Sequence, residues 1–318
     1  MVPTRHPLGD VIRRRGSLVI DGAMSTALEK LGMVLNDSLW SARALIEHPE
    51  FVREVHRQYF EAGANAAITD SYQATEAGFG AKGYTTEEAR NWIRRSAELA
   101  REAKNDVLLE HPEWVPEDLL VAGAIGPYGA YLADGSEYTG AYQLTRAEFV
   151  KFHELRLNAL LDGGADVLAI ETQPRLDEVL AVLSMIENRD VTCWVTVTLK
   201  EGAMPDGTDL ETFAKTMDAN PQVEAFGINC VKREWVEPAL LKMREFTEKS
   251  LVVYPNSGET YDPVTKTWHA AGPHEPSWSH YVPLWEKTGA LCLGGCCRTL
   301  PQDISEIARL VGAAKKEA

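Results

Sequence analysis

Eight short apolar runs, rich in β-branched residues and mostly separated by amphipathic stretches, constrain this chain more than any other feature. They are Leu18-Val19-Ile20, Ala66 to Thr69, Leu119 to Ala124, Val167 to Ile170, Trp194 to Leu199, Val223 to Ile228, Leu251 to Tyr254 and Ala290 to Leu293. Continuous rather than alternating apolar runs are expected of parallel strands buried on both faces. Between them, helical spacing of apolar residues predicts helices over Glu50–Ala62, Thr86–Val107, Arg146–Leu161, Leu176–Ile186, Leu210–Met217, Glu237–Phe246 and Ser305–Ala314. Eight strands alternating with helices over about 300 residues is the count of a (β/α)₈ barrel. Periodicity alone cannot show closure, so a doubly wound open sheet is the competing architecture. Either one places its active site at the C-terminal strand ends, where the polar residues of this chain cluster.

With 318 residues, 45% of them hydrophobic, the chain can bury one large core, and residues 1–318 read as a single domain without repeats or linkers. A formal net charge of -15 argues against a nucleic-acid partner. No apolar run reaches the roughly 18 to 20 residues that cross a bilayer, so no membrane partner is expected. Five cysteines, an odd number, do not form a secreted disulfide framework, which points to a soluble cytoplasmic protein.

Two connections exceed plain turns: Tyr128 to Thr145, rich in Gly, Tyr and acidic residues, and Glu259 to Ser279, with Tyr261, Trp268, His269 and His274. Long loops of this kind act as lids over a ligand or are disordered, and the aromatic content favours lids.

The chemistry centres on Gly294-Gly295-Cys296-Cys297-Arg298, just past the eighth run. Adjacent cysteines on a regular strand would face opposite sides, so to act together they must lie where the chain turns. The paired glycines are expected to supply unusual backbone angles there. Thr299 and Gln302 have the spacing of a capping box, with Pro301 in the first helical turn. In a barrel, Cys230 at the end of the sixth run would converge on this pair. Three thiolates make a soft site suited to zinc, with the fourth tetrahedral position open as in catalytic zinc centres. The plainer reading is a set of inert buried thiols, which is the reading taken for Cys193 and Cys292 inside apolar runs.

Asp21-Gly22-Ala23-Met24, Glu171-Thr172, Gly227-Ile228-Asn229-Cys230 and the Gly294–Arg298 stretch together resemble the signatures of the zinc-dependent homocysteine S-methyltransferase family, from about Leu18 to about Leu310. Ser71 to Thr75, Gly126 to Tyr131 and Tyr254 to Glu259 resemble its S-methylmethionine-using branch. The resemblance implies a (β/α)₈ barrel, zinc held by Cys230, Cys296 and Cys297, and Asp21 and Glu171 near the substrate amino group.

The expected chemistry follows. A free thiol with pKa near ~8.5 is largely protonated at neutral pH; zinc would deprotonate the homocysteine sulfur, which then takes a methyl from a sulfonium. A neutral thioether leaves, so no general acid is needed, and the histidines, including His56 and His153, read as surface or packing residues. His269 is a weak candidate for substrate contact. The N–H groups of Gly22 and Ala23 are candidates for the substrate carboxylate. Thr69 and Asn229 are polar supports. Trp40, Tyr72 and Tyr128 are candidates to face the sulfonium. Gln73 stands where the betaine-using branch has an aromatic residue, which disfavours a quaternary-ammonium cage. S-adenosylmethionine is a possible slower donor. The competing readings are a selenocysteine methyltransferase, a zinc-binding barrel without turnover, and an aldolase-type barrel using Asp21 and Glu171. The last lacks a clear strand-end lysine other than Lys200.

Overall fold

The computed structural model describes residues 3–35, 39–262, 267–269 and 277–311. Eight parallel strands form one sheet: β1 Leu18–Val19, β2 Ala66–Ile68, β3 Leu120–Ile125, β4 Val167–Gln173, β5 Cys193–Val197, β6 Val223–Asn229, β7 Ser250–Tyr254 and β8 Ala290–Leu293. Each pairs with its sequence neighbour, and β8 returns to β1. The ring closes between β1 and β2 through a parallel bridge, Ile20 to Ala66, with Asn65 N donating to Val19 O at 2.7 Å and Asp21 N to Ala66 O at 3.1 Å. Sequential order and closure make this a (β/α)₈ barrel and exclude the open doubly wound sheet.

An outer helix follows every strand: α1 Pro49–Glu61, α2 Thr86–Glu110, α3 Arg146–Asp162, α4 Leu176–Ile186, α5 Leu210–Asp218, α6 Val236–Arg244, α7 Trp278–Lys287 and α8 Pro301–Leu310. Local chemistry sets several starts. Thr85 with Glu88 and Thr145 with Glu148 form capping boxes at α2 and α3, each satisfying otherwise orphaned backbone N–H groups. The eighth helix starts differently from expectation. Leu300 is its N-cap, the Asp303 carboxylate accepts from Leu300 N at 2.8 Å, and Pro301 opens the first turn. Thr299 and Gln302 do not make the box, because the Thr299 hydroxyl donates to Cys296 O at 2.7 Å.

Side-chain alternation along the strands divides the core in two. Val121, Ile125, Leu168, Ile170, Val195, Phe226 and Val253 face the helices. Leu18, Ile20, Ala122, Val167, Ala169, Trp194, Ala225, Val252 and Cys292 fill the barrel, with Leu8 and Val11 of the N-terminal helix Pro7–Arg15 packed among them. Both strand faces are therefore buried, which explains the continuous apolar runs. Cys193 and Cys292 are core residues, and burial raises both thiol pKa values.

The Tyr128 to Thr145 connection contains two short helices, Tyr128–Leu132 and Ser136–Thr139. In the second long connection, Thr260–Asp262 pairs antiparallel with Thr267–His269. The side chains of Tyr261, Trp268 and His269, and the whole of His274, lie outside the described residues.

Candidate functional site

The three cysteines meet at the C-terminal mouth of the barrel. Their Sγ atoms all lie within 4.8 Å of one another, and Cys230 and Cys297 are 3.5 Å apart. Cys230 follows the last residue of β6, Asn229, with φ +53°, a left-handed conformation rare for a side-chain-bearing residue. Thr172 in β4 (φ +55°) and Arg298 after the cysteine pair (φ +67°) share it. Backbone strain thus gathers at the site, as it does where surrounding structure overrides local preference.

The segment after β7 ties the two cysteine turns together. Cys230 N donates to Tyr254 O at 3.1 Å, Asn256 N to Val231 O at 3.0 Å, Cys296 N to Pro255 O at 2.8 Å and Ser257 N to Cys297 O at 3.0 Å. Gly294 and Gly295 do not supply the unusual backbone angles expected of them. They allow close approach instead: a Cβ on Gly294 would lie 2.7 Å from Ile20 O, and one on Gly295 2.4 Å from Thr299 Oγ1. Asn229 is fully buried. It accepts from Thr172 N at 2.8 Å, donates to Thr172 Oγ1 at 2.7 Å, and points Nδ2 toward Cys296 Sγ at 4.0 Å.

Charge is shared unevenly among the thiols. Hydrogen bonds from Cys230 and Cys296 hold Cys297 well below the ordinary thiol range. Sharing hydrogen bonds with Cys230 and Cys297 pushes Cys296 up. Soft donors this close, with Cys296 and Cys297 partly exposed, are a set that fits one thiophilic ion.

Deeper in the barrel lie Asp21 and Glu171, both buried. Asp21 Oδ2 accepts from Ile68 N at 2.8 Å, while Oδ1 is buried without a partner among the described residues. Burial, then the nearby Glu171 charge, raises the Asp21 pKa well above the usual carboxylate range. Burial pushes Glu171 up to about 8, although its Oε2 accepts from Tyr254 OH at 3.1 Å. Trp194 Nε1 at 3.1 Å and Thr196 Oγ1 at 2.7 Å hold that phenol in turn. Among the described residues no cation pairs directly with either buried carboxylate, although the Arg156 charge is felt by Glu171, and the two together suit an ammonium group.

The remaining expected residues separate. Ala23 N donates to Thr299 O at 3.2 Å, so it is not available to a substrate carboxylate; of the two N–H candidates, Gly22 is left. Tyr59 Oη and Thr299 Oγ1 would lie 2.9 and 2.8 Å from a Cβ at Gly22. Thr69 Oγ1 is engaged by Ser71 Oγ and Ala124 N, a structural bracket. The Tyr72 ring lies against Gly126, where a Cβ would come 2.6 Å from it, and its hydroxyl bonds Thr172. Gln73 Nε2 donates to Ala130 O at 3.1 Å. The Tyr128 ring packs among Tyr131, Tyr142 and Phe152. Trp40 is 43% exposed and adopts φ +49°.

Other contributors carry no signature in the sequence. Tyr138 Oη lies 3.3 Å from Cys230 Sγ, and Glu137 beside it feels the charge of that sulfur. Behind them, Arg156 donates to Tyr72 O at 2.7 Å and Gly126 O at 2.5 Å, and contacts His153 Nδ1 at 2.8 Å. Guanidinium can only donate, so Nδ1 accepts and Nε2–H of the neutral imidazole donates to Glu178 Oε1 at 2.8 Å. Glu178 also accepts from Tyr128 N and Tyr142 OH, each at 2.6 Å. Arg156, His153 and Glu178 are all buried. His153 is therefore neither a surface residue nor plain packing, whereas His56 is buried with neither ring nitrogen bonded, and burial lowers its pKa to about 3. The acidic and aromatic content of 128–145 marked the segment; only the helical turn at Ser136–Thr139 decides which residues reach the thiols.

The family model for homocysteine S-methyltransferase matches residues 18–311. The chain is 47% identical over 304 residues to a homocysteine S-methyltransferase of Escherichia coli K12, covering 95% of this chain and 97% of the relative. It is 44% identical over 306 residues to the homocysteine S-methyltransferase YbgG of Bacillus subtilis 168, covering 95% and 97%. The crystal structure of the Escherichia coli homocysteine methyltransferase MmuM in its metallated form superposes with a TM-score of 0.86 at 42% identity, covering 96% of this chain and 99% of that one.

Proposed function

Because the chain belongs to the homocysteine S-methyltransferase family and is an enzyme of that activity, we propose that it moves a methyl group from S-methylmethionine to the thiol of L-homocysteine, with zinc held by Cys230, Cys296 and Cys297. The observation that carries the reading is the convergence of three Sγ atoms within 4.8 Å at the barrel mouth. The metallated state of the Escherichia coli relative supports a metal there. Zinc, when bound, supplies a Lewis acid that keeps a fourth, substrate sulfur ionised and nucleophilic at neutral pH.

The residues of the chain do the rest. Asp21 Oδ1 and Glu171 take the homocysteine ammonium, and the Gly22 N–H faces its carboxylate. Asn229 and Thr172 brace the turn that aims Cys230, and Thr69 fixes the β2 end. Tyr72, Gln73, Trp40 and Tyr128 line the donor side, where aromatic faces suit a sulfonium. The thiol proton would pass to solvent water, leaving the homocysteine sulfur as the thiolate that attacks the methyl. The methyl–sulfur bond of the donor breaks with its electrons staying on the donor sulfur, and a neutral thioether departs without an acid. Residues 1–318 act as one homocysteine-binding domain on small molecules, in the cytoplasm, without nucleic acid or membrane. No helix among the described residues is long and apolar enough to cross a bilayer.

The test uses methyl-labelled S-methylmethionine, S-adenosylmethionine and betaine with homocysteine, and repeats the first with selenocysteine as acceptor. Labelled methionine from S-methylmethionine, little from betaine, and loss of both zinc and turnover in Cys297→Ser are expected. Full turnover after complete zinc removal, or equal rates with betaine, would overturn the assignment. Faster methylation of selenocysteine would reassign the acceptor.

A further inference from the structure

We propose that Glu137 is the carboxylate that meets the sulfonium centre of the methyl donor and sets the enzyme's affinity for it; this rests on the sulfonium donor proposed above. Glu137 lies in the short helix Ser136–Thr139, next to Tyr138, whose hydroxyl touches Cys230 Sγ. Its Oε2 is buried and has no hydrogen-bond partner among the described residues. The Glu137 charge is felt by Tyr72 and by Cys297. The carboxylate therefore lies within electrostatic reach of the thiols and of the Tyr72 hydroxyl, one residue from the Tyr138 that touches Cys230.

A buried carboxylate oxygen without a donor is costly unless a cation arrives to meet it. Among the described residues, the cations around this segment are committed elsewhere; Arg175 donates to Gly140 O at 3.2 Å and pairs with Asp177. Arg156 is turned to Tyr72 O, Gly126 O and His153, and Arg298 Nε donates to Glu259 Oε2 at 2.6 Å. The substrate ammonium falls to Asp21 and Glu171, deeper in the barrel. Glu137 is thus left for the second substrate. Methyl transfer needs the donor sulfur in line with the acceptor sulfur beside the cysteines, so the donor atom brought to this neighbourhood is the sulfonium itself. The hairpin is also held tightly, since a Cβ at Gly129 would lie 2.6 Å from Glu137 N.

The charge changes during reaction. As the methyl–sulfur bond breaks, its electron pair stays on the donor sulfur, and the sulfonium becomes a neutral thioether. A carboxylate facing that centre binds the ground state more strongly than the transition state. Glu137 therefore governs donor capture and, once the charge is gone, lets the product leave.

The experiment is steady-state kinetics of the zinc-loaded enzyme with both substrates varied, comparing wild type, Glu137→Gln and Glu137→Asp. In Glu137→Gln the KM for S-methylmethionine should rise about tenfold or more, the loss expected for one charge-assisted contact. The homocysteine KM, zinc content and kcat should each stay within about twofold, or kcat should rise. Glu137→Asp should recover part of the loss. A trialkylsulfonium lacking an amino group should inhibit wild type competitively against the donor and inhibit Glu137→Gln about tenfold more weakly. An unchanged donor KM, a matching rise for homocysteine, or equal inhibition of both enzymes by the trialkylsulfonium would overturn the proposal. If wild type fails to use S-methylmethionine, the donor reading fails by itself. The trialkylsulfonium arm, run with S-adenosylmethionine as donor, still decides the role of Glu137.

Discussion

Replacing Glu178 by Gln removes one charge from a buried network while keeping its shape. The Gln carbonyl can still accept from His153 Nε2 and Tyr128 N, and its amide can donate to Tyr142 OH, so the hydrogen bonds are largely re-formed. The compensating charge for Arg156 is lost, however. Arg156 is buried, its Nε has no partner among the described residues, and burial already lowers its pKa to about 10. Removing one member of a buried ion pair in contact costs about 3–5 kcal/mol, against about 1 kcal/mol for a neutral hydrogen bond; because His153 stands between Glu178 and Arg156, the loss should fall between those limits. For 318 residues the unfolding entropy is about 0.7 kcal/mol/K, so Tm should fall by about 2–7 °C. Activity should fall as well, because Arg156 holds the Tyr72 and Gly126 carbonyls and Glu178 anchors the hairpin that carries Glu137 and Tyr138. Calorimetry read beside kcat and KM checks both. A Tm within about 1 °C of wild type would refute the charge argument, since the loss would then be no larger than a neutral hydrogen bond's.

Glu171 titrates near 8 because it is buried, and only its ionised form holds an ammonium group. Methionine binding to the metal-free protein should therefore tighten as pH rises from about 6 to about 8, with proton release seen by calorimetry, and Glu171→Gln should flatten the profile. The stability effect has the opposite sign. The folded state keeps a proton that the unfolded chain releases above its ordinary carboxylate pKa, so this group lowers ligand-free stability as pH climbs toward 8. A pH-independent affinity would sink the assignment. Gly227→Ala would place a Cβ 2.0 Å from Val252 O on the neighbouring strand, and should destabilise by about 3 kcal/mol or more in chemical denaturation; a near-neutral result would mean β6 shifts freely.

The architecture was legible in the chain because strands buried on both faces must be apolar at every position. Leu18, Ala122, Val167 and Val252 turn inward while Val121, Leu168 and Val253 turn outward, and both sets read as apolar. The convergence of Cys230, Cys296 and Cys297 was legible too, since all three stand just past the ends of apolar runs that a barrel brings to one mouth. What the sequence could not carry is what depends on approach across the barrel. Gly294 and Gly295 look like turn residues, yet close contact with Ile20 and Thr299 selects them. Ala23 looked like an anion donor until Thr299, 276 positions away, took its N–H. Arg156, His153 and Glu178 lie on two helices with no motif between them, and only the packing of α3 beside α4 makes them one network. Tyr138 reaches Cys230, with Glu137 beside it, because one helical turn in a long connection happens to face the end of β6. Local pattern determined which elements form and where polar residues gather; long-range proximity, which no spacing encodes, decided which of those residues touch.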